Sequence, residues 1–255
     1  MIGSIHLADL AIPRAIKALR TAPRPESRPG LRYATAVFAS PLGGRALVAP
    51  QPRRVGLIAL WDDDAALAAF LAADPLAAAL ASGWHVRLTP VNAHEYHRAR
   101  GSDTAGTWPG ISDDMTDPTP ADGPAVVLTL ARTRPSQVGR FLRASLQAAR
   151  PLAASPGLLW ATALARPPVV ATCSLWSSAA ALEAYAYGGS RSGHGRAMAA
   201  DRKRAFHQAG VFVRFRPDRS AGQLHGRNPL PADWMTNPLT RLPHRDGHRP
   251  MTAHP

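Results

Sequence analysis

The residue best placed by type and surroundings to do chemistry is His194, in the run Gly188-Gly189-Ser190-Arg191-Ser192-Gly193-His194-Gly195-Arg196. A turn rich in Gly and Ser lets backbone approach a flat ligand closely. Ala197-Met198-Ala199-Ala200 then restarts a helix. A histidine at a helix start can offer one imidazole nitrogen to a pocket while an acceptor holds the other. Arg191 and Arg196 on either side can pair with ligand carboxylates. Taken alone, these residues favour a plainer alternative, an exposed loop histidine between solvated arginines, and both readings stay open.

Other candidates carry less. Cys173 could be an iron-binding thiolate, but it sits in the continuous apolar run Val169-Val170-Ala171-Thr172-Cys173-Ser174-Leu175, which makes it a small core residue of a strand. His94 and His97 could face one another on a helical turn just past a strand, but two ligands do not make a zinc site. His244, His248 and His254 belong to a polar tail and are expected to meet only water. No serine nucleophile elbow, phosphate-binding loop, dinucleotide fingerprint or His-Glu-x-x-His motif occurs.

The elements that must position these residues are legible because the chain repeats itself. Leu60-Trp61-Asp62-Asp63-Asp64-Ala65-Ala66-Leu67-Ala68-Ala69-Phe70 aligns without a gap on Leu175-Trp176-Ser177-Ser178-Ala179-Ala180-Ala181-Leu182-Glu183-Ala184-Tyr185, at an offset of 115. Each copy reads as an apolar strand, a polar cap and a helix with an aromatic at helical spacing. Flanking segments repeat more loosely. Strands are expected at Ile2 to Ala8, Leu31 to Ser40 and Trp84 to Thr89, and again at Ala125 to Ala131, Gly157 to Leu164 and Val211 to Arg216. Helices are expected at Pro13 to Arg20 and Pro135 to Arg150.

The order in each half is β-α-β-β-α-β, the ferredoxin-like unit. We therefore expect an α+β fold of two tandem ferredoxin-like (βαββαβ) repeats. Within one chain they reproduce the dimeric α/β barrel that single-unit proteins build by pairing. The expected divisions are a first repeat at 1–98, a linker at 99–123, a second repeat at 124–220, and an extended C-terminal strap and tail at 221–255. By the final strand the offset has grown to 127, so 12 extra residues lie within the stretch of the second copy that contains His194. Additions to a repeat are where function is often added, and loop drift also produces them.

Composition limits the classes. At 45% hydrophobic and 18% charged, the chain has enough apolar material for a core, which excludes global disorder. The net charge of +13 resembles a nucleic-acid signature, yet only Lys17 and Lys203 are lysines and 28 of the 30 cations are arginine. That bias, in a chain also heavy in Ala and Pro, reads first as codon usage, although the charge would still attract small anions. RNA-recognition modules share the ferredoxin-like unit, and Gly210-Val211-Phe212-Val213-Arg214-Phe215 partly matches their aromatic strand. Only Phe212 has a stacking place, because Phe215 falls on the opposite face, and the strand follows rather than precedes the second helix. We expect no nucleic-acid partner. One cysteine rules out a disulfide framework. No apolar run reaches the roughly 20 residues of a membrane span, and Met1 to Leu10 carry no basic leader, so the expected location is the cytoplasm.

In its second half the chain resembles the spheroidene monooxygenase family. The matching residues are Leu175-Trp176, Ala181-Leu182-Glu183-Ala184-Tyr185, Gly193-His194-Gly195-Arg196-Ala197, Val213-Arg214-Phe215-Arg216 and Gly222-Gln223-Leu224-His225-Gly226-Arg227-Asn228-Pro229-Leu230. The resemblance spans about residues 125 to 230. It departs at Leu224, where the family has Trp, and at Gly193, where it has Pro. More distantly, the spacing resembles the haem-degrading monooxygenases of the dimeric α/β-barrel class, with Tyr185 and His194 on the positions of their helix aromatic and proximal histidine. Tyr185 in place of their Trp argues against haem degradation itself.

The resemblance implies an oxidoreductase that binds haem b and oxidises carotenoid-like chains, that is, a monooxygenase acting on an apolar or amphiphilic small molecule. It implies that the second repeat carries the cofactor site, with His194 as the iron ligand and Tyr185 lining the pocket; Arg191 or Arg196 is then expected to hold the propionates, and Arg132, just past the first strand of this half, to be a distal-side group. An electron donor and a homo-oligomer are the further partners expected. Two alternatives remain: a haem enzyme of natural-product assembly, such as a dehydratase or a nitrogen-nitrogen bond-forming enzyme, and a non-catalytic ligand-binding barrel.

Overall fold

The protein is known from a computed structural model, which describes residues 1–42, 51–96, 123–187, 199–201, 203–232 and 234. The first half contains strands β1 (Ile2–Asp9), β2 (Leu31–Pro41), β3 (Arg54–Trp61) and β4 (Trp84–Tyr96), with helices α1 (Ile12–Arg20), α2 (Asp64–Ala73) and α3 (Pro75–Leu80). The second contains β5 (Ala125–Thr133), β6 (Leu158–Arg166), β7 (Val169–Trp176) and β8 (His207–Gly222), with α4 (Val138–Ala153) and α5 (Ala179–Tyr187). The eight strands close into one antiparallel barrel in the order β1-β3-β2-β6-β7-β5-β8-β4, with the helices outside. This is the tandem ferredoxin-like barrel that the repeat predicts.

The local chemistry is duplicated. The Trp61 and Phe70 rings lie 5.0 Å apart at 38°, and those of Trp176 and Tyr185 5.0 Å apart at 33°. Helix starts are capped alike: Asp63 accepts from the Ala66 amide and Ser178 from the Ala181 amide. The Asp62 amide donates to the Gly30 carbonyl and the Ser177 amide to the Gly157 carbonyl, each at 2.7 Å. Gly30 and Gly157 have φ of +74° and +79°, and a Cβ on either would come within 2.5 Å of the Cβ of Ala66 or Ala181. Glycine is required twice for the same two reasons. Between α2 and α3 the chain breaks at Asp74, whose carboxylate accepts from the Leu76 amide ahead of Pro75 at a helix start.

Several boundaries differ from expectation for one reason. β4 runs to Tyr96 rather than Thr89, and β8 covers His207–Gly222 rather than Val211–Arg216. These two strands pair with each other across the halves, from Trp84 opposite Gly222 to Tyr96 opposite Gly210, and that pairing carries both past their own sheets. The opposite seam is short, Phe38 opposite Ala165 to Pro41 opposite Thr162. Because β4 is long, His94 lies exposed on a strand and not on a helical turn, while His97 lies outside the described residues. α4 starts at Val138 after a single 3-10 turn, Pro135–Gln137.

The barrel interior is apolar, built from alternate residues such as Ile5, Leu7, Ile58, Leu60, Val126, Leu128, Leu130, Val213 and Phe215. Cys173 is 1% exposed within it, and burial pushes its thiol up to about 12, so it is the inert core residue expected. Leu224 and Leu230 of the C-terminal segment pack onto the same core. Asn228 holds that segment by accepting from the Trp84 indole at 2.9 Å and the Ser220 hydroxyl at 2.7 Å. Among the described residues no helix is long and apolar enough to cross a membrane.

Candidate functional site

The repeat gives each half an outer sheet face beneath its helices, and the two faces are finished differently. In the first half, His6, Val55, Leu57, Ala59 and Trp61 on the sheet meet Ala15, Ala18, Leu67, Phe70, Leu76 and Leu80 from the helices, and none is more than 6% exposed. The polar atoms are satisfied in place. The Trp61 indole donates to the Ser4 hydroxyl at 2.9 Å, and that hydroxyl lies 3.2 Å from His6 Nε2. The His6 ring stacks on His85 at 5.3 Å and meets the edge of Phe70 at 5.9 Å. Burial, and then the neighbouring His85, hold its pKa down to about 3, so the imidazole is neutral.

The strand register identifies the matching positions of the second half. His6 pairs with His85, and Thr129 with Phe212; Ser4 pairs with Arg87, and Val127 with Arg214. On β7, Thr172 and Ser174 replace Leu57 and Ala59. Ser174, Val127 and Arg214 form one cross-strand row, and Thr172, Thr129 and Phe212 the next. Thr172 is exposed, and the other five are half-buried. Where the first half is packed shut, the second presents small and hydroxyl-bearing residues, with Tyr185 reaching in from the helix side.

Tyr185 is half-buried, and desolvation pushes its phenol up to about 12, so it is a neutral hydrogen-bonding group and not a phenolate. On β8, Arg214 Nη1 donates to exposed Glu183 at 3.0 Å. The Nε atoms of Arg214 and Arg216 are buried and meet no hydrogen-bond acceptor. A buried N–H donor without an acceptor is costly. The two buried Nε–H groups are donors that an anionic group at this edge of the face could accept from.

The structure brings some of the expected site residues to this face and not others. Tyr185 is there. His194, Arg191 and Arg196 lie outside the described residues. Arg132 shares the inward face of β5 with Val126, Leu128 and Leu130, so it points to the barrel mouth, away from Thr129 and Tyr185. Its neighbour there is Tyr33, whose phenol burial pushes up to about 12 while the Thr35 hydrogen bond and then Arg132 oppose the rise. His207, just before the expected final strand, is the first residue of β8 and is buried, its ring 5.1 Å from Phe141 and its Nδ1 3.7 Å from Asp201.

Thr129, Thr172, Ser174, Arg214 and Arg216 are the residues that sequence reasoning missed. The replacement of Leu57 and Ala59 by Thr172 and Ser174 at the fixed offset of 115 was the available signal.

Among curated proteins, the chain is 35% identical over 203 residues to the spheroidene monooxygenase of Rubrivivax gelatinosus, covering 78% of this chain and 73% of that one. It is 27% identical over 131 residues to the spheroidene monooxygenase of Rhodobacter capsulatus, covering 49% and 53% respectively. No family model matches. Among solved structures, aldoxime dehydratase aligns at a TM-score of 0.47 and 10% identity over 85% of this chain and 80% of that one. A heme-degrading enzyme from Listeria monocytogenes aligns at 0.28 and 9% over 82% and 97%. The identity and coverage to the first of these proteins establish that the chain belongs to the spheroidene monooxygenase family and is an oxidoreductase of the monooxygenase kind.

Proposed function

We propose that the protein is a haem-dependent monooxygenase acting on an apolar or amphiphilic small molecule, and that the outer face of its second half, within residues 124–220, holds haem b. The observation that carries this reading is the contrast between repeats: one face sealed by Leu57, His6 and Phe70, the other left open at Thr172, Thr129 and Tyr185. Relatives named for spheroidene support an extended, apolar substrate.

In this proposal His194 would hold the haem iron, Tyr185 would line the pocket, and Arg191 or Arg196 would hold the propionates. Haem iron, when bound, supplies the activation of oxygen. The protein's own part is to exclude water with Trp176, Phe212 and Val127, to offer neutral hydroxyls from Tyr185, Thr129 and Thr172, and to orient the ligand. Arg132 stays outside the proposal because it lies exposed at the barrel mouth, on the opposite face of β5 from Thr129.

The test is the absorption spectrum of purified protein reconstituted with haem. His194→Ala should stay folded, lose or shift its Soret band, and regain it with added imidazole. His207→Ala should lower stability, because a buried ring is removed, and leave the band in place. The reverse pattern would make His207 the ligand. Absence of any Soret band in the parent protein would end the haem reading. Dependence of product formation on molecular oxygen would separate oxygen insertion from redox-neutral chemistry.

A further inference from the structure

Arg87 and Arg214 occupy matching places in the two repeats, and their surroundings differ in one respect. Arg87 forks onto both carboxylate oxygens of Asp64, at the start of α2, and its Nη1 reaches Asp218 at 2.8 Å. The first half thus answers its own cation with a charge-assisted pair. At the position of Asp64 the second half has Ala179, so Arg214 keeps the guanidinium and has lost the fork. Among the described residues its ion-pair partner is Glu183, which is 53% exposed.

Two residues along β8, on the same face, Arg216 stands where the first half has Thr89. Its Nε is 3.6 Å from Asp218 Oδ1, an ion pair longer than a hydrogen bond, while Arg87 and Thr89 both donate to the Oδ2 of the same carboxylate. The side chains of Arg214 and Arg216 are 24% and 16% exposed. Two largely buried guanidiniums, each with an Nε that meets no acceptor, border the open face.

We propose that Arg214 and Arg216 form a carboxylate-binding site at the β8 edge of the open face, and that its ligand is the propionate edge of the bound tetrapyrrole. The proposal rests on the haem reading above and adds to it a fixed, strand-borne anion clamp distinct from Arg191 and Arg196. The first half, whose matching arginine is internally paired, has no such site among its described residues.

The experiment is a titration followed at the Soret band, using haem and haem dimethyl ester, in which the carboxylates are masked. The proteins compared are the parent, Arg214→Gln, Arg216→Gln and the double variant Arg191→Gln with Arg196→Gln, with far-UV circular dichroism as the folding control. The parent should bind haem about tenfold or more tighter than the ester, the size of a charge-assisted pair. Either β8 variant should lose about tenfold for haem and less than about twofold for the ester. Equal binding of haem and ester by the parent overturns the clamp, leaves the haem reading standing, and needs no variant to fold. Discrimination that vanishes only in the Arg191 and Arg196 double variant also overturns it. A parent that binds neither compound overturns the haem reading and this inference with it.

Discussion

Leu57 and Thr172 occupy the same place in two copies of one strand, yet Leu57 is wholly buried beneath helices and Thr172 is exposed. In the same cross-strand row His6 is buried and Thr129 half-buried, and at the edge Arg87 is internally paired and Arg214 less completely so. The scaffold itself does not distinguish them: caps, glycine turns and the Trp-aromatic contact are common to both. A duplicated fold can let one copy contribute apolar burial, at about 1.5–3 kcal/mol for each large aliphatic side chain, while the other leaves its equivalent face for a ligand. Function and stability then fall on different halves of one barrel.

The comparison can be broken most forcefully by exchanging the residues themselves. Leu57→Thr gives the sealed face the residue of the open one. It removes apolar burial and leaves a hydroxyl without a partner, and should cost about 3 kcal/mol in urea denaturation. The reciprocal Thr172→Leu should change stability by no more than about 0.5 kcal/mol, since the site is exposed. Equal costs for the two exchanges would remove the distinction between the faces.

A second contrast is in pH. The His6 pKa is lowered from 6.5 to about 3 in the folded state, so below pH 6.5 the unfolded chain takes up a proton that the folded chain refuses. Stability is fully present above pH 6.5 and should fall as pH drops toward 3, by up to about 1.4 kcal/mol per pH unit. His6→Thr, which copies Thr129, should flatten that slope in denaturation series at pH 7, 6 and 5. An unchanged slope would mean that other groups carry the acid sensitivity. The smallest effect is expected from Asp64→Ala, which copies Ala179. Asp64 is 54% exposed, so losing its pair with Arg87 should cost about 0.5 kcal/mol, and a melting curve that drops much further would show Arg87 to be poorly solvated.

How much of this was legible in sequence depends on what fixes each feature. The repeated Trp, cap and aromatic are local patterns, and from them the two ferredoxin-like units and the match of Phe70 with Tyr185 follow directly. The ends of β4 and β8 were misplaced because they are set by pairing between halves, which no local pattern contains. Arg132 was assigned to the ligand side on its position after a strand, whereas the alternation through Leu128 and Leu130 carries it to the exposed barrel mouth. Arg214 and Arg216 were visible as charges in a strand, but the loss at Ala179 of the carboxylate that pairs with Arg87 emerges only when the repeats are laid over each other in register.

The central claim is that the open face of the second half is where the ligand sits, and the most direct measurement is haem affinity after that face is filled. Thr172→Trp places a large ring on an exposed position beside Thr129, where it should fold normally by circular dichroism. We predict that haem titrated into this variant, followed at the Soret band, binds at least about tenfold more weakly than to the parent protein. Unchanged haem affinity in a folded Thr172→Trp variant would contradict the account and put the ligand elsewhere on the barrel.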